Sequence, residues 1–294
     1  MDDAPTQILQ ITLPAEAAGK RLDSALAPFF PELGLRGRRR LWLHRRVVID
    51  GRERGPAHKV SGGENVILIP LDKAVSAPLA HDIRLVGRSA EYATLFKPAG
   101  LHTAALAGDP TPSLEGLLPR LWEDFRRIDP TLPPDPPVLL SRLDAPTSGL
   151  IAAAFGPRAA EAFRKLEAAG MVRKRYLALV HGRLDAPLTL TRALDTADRK
   201  KTRVTPETTP DATRHTLVEP IRSVDGPAGE AALVRATIQR GARHQIRAHL
   251  AAAGHPLVGD VLYGGPGVPE HFFLRHYRLE MPDCAFALEE DGPA

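Results

Sequence analysis

Two apolar, β-type runs, Val138-Leu139-Leu140 and Leu150 to Phe155, are separated by a short segment that carries Pro146 and Gly149. Proline fixes φ and glycine admits conformations closed to other residues, so this spacing dictates strand, tight turn, strand, with no length for a crossover helix. One acidic residue, Asp144, stands in that turn. Strand ends beside tight turns are where a rigid scaffold can hold a reactive side chain in a cleft. An Asp there also commonly hydrogen-bonds its own turn backbone, and the segment alone does not separate the two roles.

The rest of the chain extends the pattern. Strands are predicted at Tyr176–Val180, Leu217–Ile221 and Leu233–Ile238, and a helix over Pro157–Ala169 with Phe163 and Leu166 inward, ended by Gly170. Asp129 to Pro137 holds five prolines in nine residues and reads as an extended loop. No parallel strand–helix–strand rhythm is present, so the expected class is α+β around a largely antiparallel mixed sheet. With 294 residues the chain can bury one main core and carry a smaller appendage. No apolar run approaches the roughly 20 residues needed to span a bilayer. The single Cys284 excludes an intramolecular disulfide and a cysteine-rich zinc site. A cytoplasmic monomer without metal or cofactor is the expectation.

The net charge is only +4, but 31 of the 39 basic residues are arginine, the side chain best suited to phosphates and stacked bases. Six of them lie between Arg36 and Arg46. Around them, residues 17–72 form a compact basic unit. Arg21-Leu22-Asp23 opens a helix to about Ala27, broken by Pro28, Pro31 and Gly34. A second helix is predicted over Arg36–Arg46, with Arg36, Arg39 and Arg40 on one face. Val47-Val48-Ile49 then reads as a strand, Asp50-Gly51 as a turn and Val66 to Ile69 as another strand. This unit resembles the small α/β RNA-binding module named after ribosomal protein S-four, whose basic second helix and following turn lie on RNA backbone. The resemblance makes Arg36, Arg39, Arg40 and Arg45 candidate RNA contacts; the plainer reading is that they only solvate a helix face. Residues 72–90 read as a linker to a main domain at 89–285.

Within that domain three more segments stand out: KPAG at 97–100, KRYLALVHG at 174–182 and GARHQIRAHLAAAGHPLVGDVLYGG at 241–265. The last opens a helix that Gly254 caps, with Ile246, Leu250 and Ala253 as its expected buried stripe and Arg243 and Arg247 on another face. His244, His249 and His255 lack zinc-binding spacing. Together with SRLDAPTSGL at 141–150, these segments resemble the RluA-like group of pseudouridine synthases, in order and spacing, over roughly residues 91–280. Ser141 stands where that group usually has His, Ala242-Arg243 where it has Arg-Thr, and His102-Thr103 where Val-Val-His is common.

The resemblance implies a pseudouridine synthase fold acting on ribosomal or transfer RNA. Asp144 would be the essential carboxylate acting at the target ribose, Tyr176 would stack on the uracil, and Arg247 would pair with Asp144 and favour its ionised form. Lys97, Arg142, Lys174, Arg243 and His244 are candidate RNA contacts, Lys97 reading equally well as a plain strand-end charge. The target base must leave its stack to be reached. Two other classes are weighed against this one. A non-catalytic RNA-binding or ribosome-assembly factor could keep the same scaffold. A glycoside hydrolase would need a second carboxylate, for which Asp195 and Asp260 are the candidates.

Overall fold

The computed structural model describes residues 9–39, 41–49, 52–70, 82–105, 112–226, 229–267 and 269–288. These fall into two compact units, the first holding the described residues up to 70 and the second those from 82 onward.

In the first unit, strands β1 (Leu9–Thr12), β2 (Arg45–Ile49), β3 (Arg52–Glu53) and β4 (Asn65–Pro70) pair antiparallel in the order β1-β4-β2-β3. Short helices α1 (Leu22–Ala25), α2 (Leu35–Arg39) and α3 (Leu41–His44) precede β2. Val47 and Ile49, two apart on one face of β2, join Leu13, Leu22, Leu26, Val66 and Leu68 in a small core. The helix predicted over Arg36–Arg46 ends at His44. Arg45 begins the strand because the β-branched run that follows it must alternate into this core.

The second unit is built on a ten-stranded sheet. Its strands are β5 (Arg84–Arg88), β6 (Tyr92–Lys97), β7 (Val138–Leu139), β8 (Ser148–Ala154), β9 (Arg173–His181), β10 (Leu188–Leu190), β13 (Thr216–Gly226), β14 (Gly229–Ile238), β15 (Leu274–Met281) and β16 (Cys284–Ala287). A separate hairpin pairs β11 (Arg192–Asp195) with β12 (Arg203–Thr208). The main order is β10-β13-β14-β9-β15-β8-β6-β5, with β16 on β15 and β7 on β8. Its strands pair antiparallel except β15 with β8, which run parallel through Arg275↔Ser148 and His276↔Gly149. The α+β class with a largely antiparallel mixed sheet is therefore what the chain forms. Residues 84–88, read from sequence as linker, are a strand of this sheet, paired with β6.

Side chains alternating along β8 supply two cores. Ile151 packs with Tyr176, Ala178, Val234, Ile246 and Leu250, while Leu150, Ala152 and Ala154 pack with Phe163 of helix α5 (Pro157–Ala168). Helix α4 (Leu114–Ile128), which the sequence reading missed, is capped by the Ser113 hydroxyl accepting from Gly116 N. It buries Leu114, Leu118 and Trp122. Helix α6 (Gln245–Ala252) is buried at every residue from Gln245 to Leu250. It is therefore not the amphipathic helix its sequence suggests: Ala253 is an exposed cap residue, and Arg243 lies in the turn before the helix rather than on a face with Arg247.

Candidate active site

Asp144 lies in the turn between β7 and β8, which Thr147 N closes by donating to the Asp144 carbonyl at 3.0 Å. The segment after β6 cradles that turn. The Thr103 hydroxyl donates to the Leu143 carbonyl at 2.8 Å and accepts from Leu143 N at 3.0 Å. Gly100 N donates to the Ala145 carbonyl at 2.7 Å. The Lys97 ammonium donates to the carbonyls of Pro98, Leu101 and Ala145 at 2.8, 2.7 and 3.2 Å. Gly149, the second residue of β8, has φ 117° and a Cβ there would stand 2.1 Å from the His276 carbonyl oxygen, so only glycine permits this close passage of β15.

Helix α6 supplies the other half of the site. The Arg247 guanidinium, 7% exposed, donates through Nη1 to Asp144 Oδ2 at 2.9 Å. Its Nε and Nη2 form a fork on Asp260, at 2.7 and 2.8 Å. The rings of Tyr263 and Phe272 lie 5.3 and 5.4 Å from its Cζ. Burial opposes the Arg247 cation, but its bonds to Asp260 and then Asp144 more than offset this and raise its pKa. Of the two carboxylates on this arginine, Asp260 is 1% exposed and Asp144 22%. Only Asp144 is open to a ligand.

His244, at the entry to α6, holds a left-handed backbone with φ 55°, a strain on the order of 1 kcal/mol for a non-glycine residue. Its Nε2 lies 3.6 Å from Asp144 Oδ1 and its Nδ1 3.1 Å from the Tyr263 hydroxyl. Burial, helped by Arg247 and Arg243, lowers its pKa against the pull of Asp144. On β9, the buried Tyr176 ring stacks on His276 with centroids 4.6 Å apart and planes 19° from parallel. His276 Nδ1 donates to the Leu150 carbonyl at 2.6 Å, and burial lowers the imidazole to about 4, leaving it neutral. Burial raises the Tyr176 phenol, so it stays protonated.

The fold thus brings Asp144, His244 and Arg247 together, but it reassigns several expected RNA contacts. Lys97 is fully buried, its ammonium spent on three backbone carbonyls. Lys174 is buried against Glu167 of α5 in an ion pair. Arg45 is buried in β2 and reaches the Leu68 carbonyl at 3.4 Å. Arg243 turns its guanidinium onto the carbonyls of Thr196 and Asp198, bracing the β11–β12 loop. Arg39 is bound to Asp23 at 2.7 Å, though 47% of its side chain stays exposed. Arg36 and Arg142 are exposed, and Arg40 lies outside the described residues. The sequence reading did not assign Asp260 to Arg247, Tyr263 to His244, or Thr103 to the Asp144 turn. Asp260 and Tyr263 do lie in the quoted motif at 241–265. His276 left no signal, because nothing local distinguishes it from any strand histidine. Among the described residues no group of three His, Cys, Asp or Glu side chains is placed to hold a metal.

With this geometry in hand, known proteins provide a comparison. The family model described as RNA pseudouridylate synthase matches residues 91–252. The chain is 31% identical over 266 residues to the "Ribosomal large subunit pseudouridine synthase D" of Xanthomonas campestris pv. campestris, covering 88% of this chain and 76% of that one. It is 32% identical over 271 residues to the protein of the same name from Xylella fastidiosa, covering 90% and 77%. Among solved structures, human RNA Pseudouridylate Synthase Domain Containing 4 shares the fold with a TM-score of 0.56 at 18% identity, covering 74% of this chain and 91% of that one. The chain belongs to the RNA pseudouridylate synthase family.

Proposed function

We propose that this pseudouridine synthase modifies uridine in large-subunit ribosomal RNA, with Asp144 as the carboxylate that acts at the ribose. One observation carries the assignment of Asp144: two carboxylates share the buried Arg247, and Asp144 alone has an open side. In the isomerisation the bond from ribose C1′ to uracil N1 breaks, the detached base turns, and C1′ bonds to C5. The carboxylate acts while charge shifts at C1′, and Arg247 holds it in place by a charge-assisted bond. The locked pose of Asp260 also speaks against a glycosidase, which needs a second available carboxylate. Asp195 gives no help to that reading, being exposed and bonded to Ala197 N.

The ribosomal substrate is supported by the names of the Xanthomonas and Xylella relatives. Residues 17–72 are, in this reading, the S-four-type module that grips RNA backbone through Arg36 and neighbouring cations, while Tyr176 faces the flipped uracil. Transfer RNA is the alternative substrate. The test is tritium release from transcripts labelled at uridine C5, comparing large-subunit ribosomal, small-subunit ribosomal and transfer RNAs. Wild type should release tritium from the large-subunit transcript, and Asp144→Asn should bind it without release. Release from transfer RNA alone would replace the substrate. Undiminished release by Asp144→Asn would remove that residue from the chemistry.

A further inference from the structure

The hydrogen-bond pattern around Tyr263 fixes which ring nitrogen of the neutral His244 carries the hydrogen. The Tyr263 hydroxyl donates its one proton to the Thr202 carbonyl at 3.0 Å and accepts from Thr202 N at 3.0 Å. Its contact with His244 Nδ1 at 3.1 Å is then a hydrogen bond only if Nδ1 carries a hydrogen and donates it. The neutral ring therefore presents a bare lone pair at Nε2, and that atom lies 3.6 Å from Asp144 Oδ1. Two acceptors facing each other form a place for one proton. The surroundings hold the ring in that pose. Tyr263 meets it edge-on at 5.8 Å. The Thr202 hydroxyl donates to the Arg243 carbonyl at 2.8 Å, pinning the chain immediately before the strained His244. This strain persists because the neighbours over-determine it.

We propose that His244 is the proton carrier of the site, taking up through Nε2 the proton that leaves uracil C5 and returning it to N1. The inference rests on the reading of Asp144 as the reacting carboxylate. When C5 bonds to C1′ it holds both the sugar and its original hydrogen. The C5–H bond then breaks, its electron pair restores the ring double bond, and the proton passes by way of the Asp144 carboxylate to His244 Nε2. The imidazolium lies beside Asp144 and releases the proton to N1, which kept the electron pair of the broken glycosidic bond. Substrate and product are isomers, so no other reactant is needed. The groups facing the ring are Asp144 from the turn before β8, Arg243 from the turn before α6, Arg247 from α6, and Asp260 and Tyr263 from the segment after it. Burial and the two arginines favour the neutral, receptive ring, and the two carboxylates stabilise the charged one that follows.

The experiment is the pH profile of kcat for wild type, His244→Asn, Tyr263→Phe and Asp144→Asn, with RNA affinity measured for each. Asn is chosen because it tolerates the left-handed backbone of position 244. His244→Asn should lose about 10²-fold in kcat, the usual contribution of a positioned proton carrier, with RNA affinity unchanged. The wild-type rate should fall on the acid side below pH 6.5 as the carrier becomes occupied, and that limb should vanish in His244→Asn. Tyr263→Phe keeps the ring under Arg247 but frees the tautomer, so it should lower kcat less and shift the same limb. Wild-type kcat and acid limb in His244→Asn, beside an inactive Asp144→Asn, would overturn the role of His244 alone. If His244→Asn does not fold, an unchanged profile in Tyr263→Phe overturns it instead. Wild-type turnover by Asp144→Asn would overturn the underlying reading of the site, and this inference with it.

Discussion

Lys97 shows how far a residue's role depends on what the fold wraps around it. From sequence it is a cation at a strand end, as suited to a phosphate as to solvent. In the structure it is fully buried, donates to three carbonyls, and braces the turn that carries Asp144. Burial lowers its pKa to about 7, against a raising pull from Asp144. The sign for stability follows from comparing states. Between pH 7 and 10.5 the unfolded chain keeps the proton and the folded one sheds it, so the folded state gains as pH rises. Relative to Lys97→Met, wild type should gain on the order of 1 kcal/mol per pH unit over that window. Urea unfolding at pH 7 and 9 checks this in a Trp42→Phe background, where Trp122, buried in the second unit, is the remaining tryptophan. Parallel pH dependence in the two proteins would place the lysine outside any such linkage. At neutral pH, Lys97→Met should still destabilise the unit by roughly 1–3 kcal/mol, because the buried Pro98 and Leu101 carbonyls lose this donor while Ala145 keeps the bond from Gly100 N.

At the level of elements, legibility followed periodicity. Strands β8, β9 and β14 were readable because their alternating or continuous apolar runs are bounded by turns, and α5 because its apolar residues repeat at helical spacing. Helix α4 was missed although Leu114, Leu118 and Trp122 fall on one face, since Pro119 stands inside it. Helix α6 was found but its burial was not, because Arg247 and His249 look like surface residues until partners enclose them. His249 bonds Thr216 Oγ1 at 2.9 Å and the Arg192 carbonyl at 2.9 Å. The Arg21-Leu22-Asp23 motif likewise hid its purpose. Asp23 is wholly buried and accepts from Arg21 at 2.9 Å and from Arg39 at 2.7 Å, tying α1 to α2. The Arg21 bond leads in lowering its carboxyl to about 2, against a burial cost and with help from Arg39. A depressed carboxylate stabilises the fold above its unfolded value near 3.8 and loses that effect as pH falls toward 2. The contribution is roughly 2 kcal/mol. Hydrogen exchange over residues 20–39 should therefore show Asp23→Asn about thirty-fold less protected at pH 6 and nearly equal to wild type at pH 2. Equal protection at pH 6 would mean the ion pairs add nothing.

For the whole molecule, the informative quantity is where uncompensated positive charge remains after folding. Much of the arginine surplus is consumed internally: Arg21 and Arg39 on Asp23, Arg175 on Glu280, Arg240 on Asp211 and Arg247 on two carboxylates. A count of basic residues therefore overstates the charge available to RNA, which is why composition alone could not locate the binding surface. Arg36 and Arg142 are different. Both are exposed, and neither pairs with a carboxylate among the described residues. Arg36 belongs to the first unit, and Arg142 stands two residues before Asp144 in the second. If the first unit grips RNA backbone and the second performs the chemistry, the two variants should fail differently. Arg36→Ala should weaken RNA binding and reduce the slope of log affinity against log salt by about 0.7–0.9, one phosphate contact. Its kcat at saturating RNA should be unchanged. Arg142→Ala, beside the reacting carboxylate, should lower kcat as well, because a misplaced target base loses rate even when bound. Affinity titrations from 50 to 200 mM salt, paired with saturating turnover rates, make the comparison. An unchanged salt slope in Arg36→Ala would remove that residue from the RNA surface and leave substrate capture to the second unit.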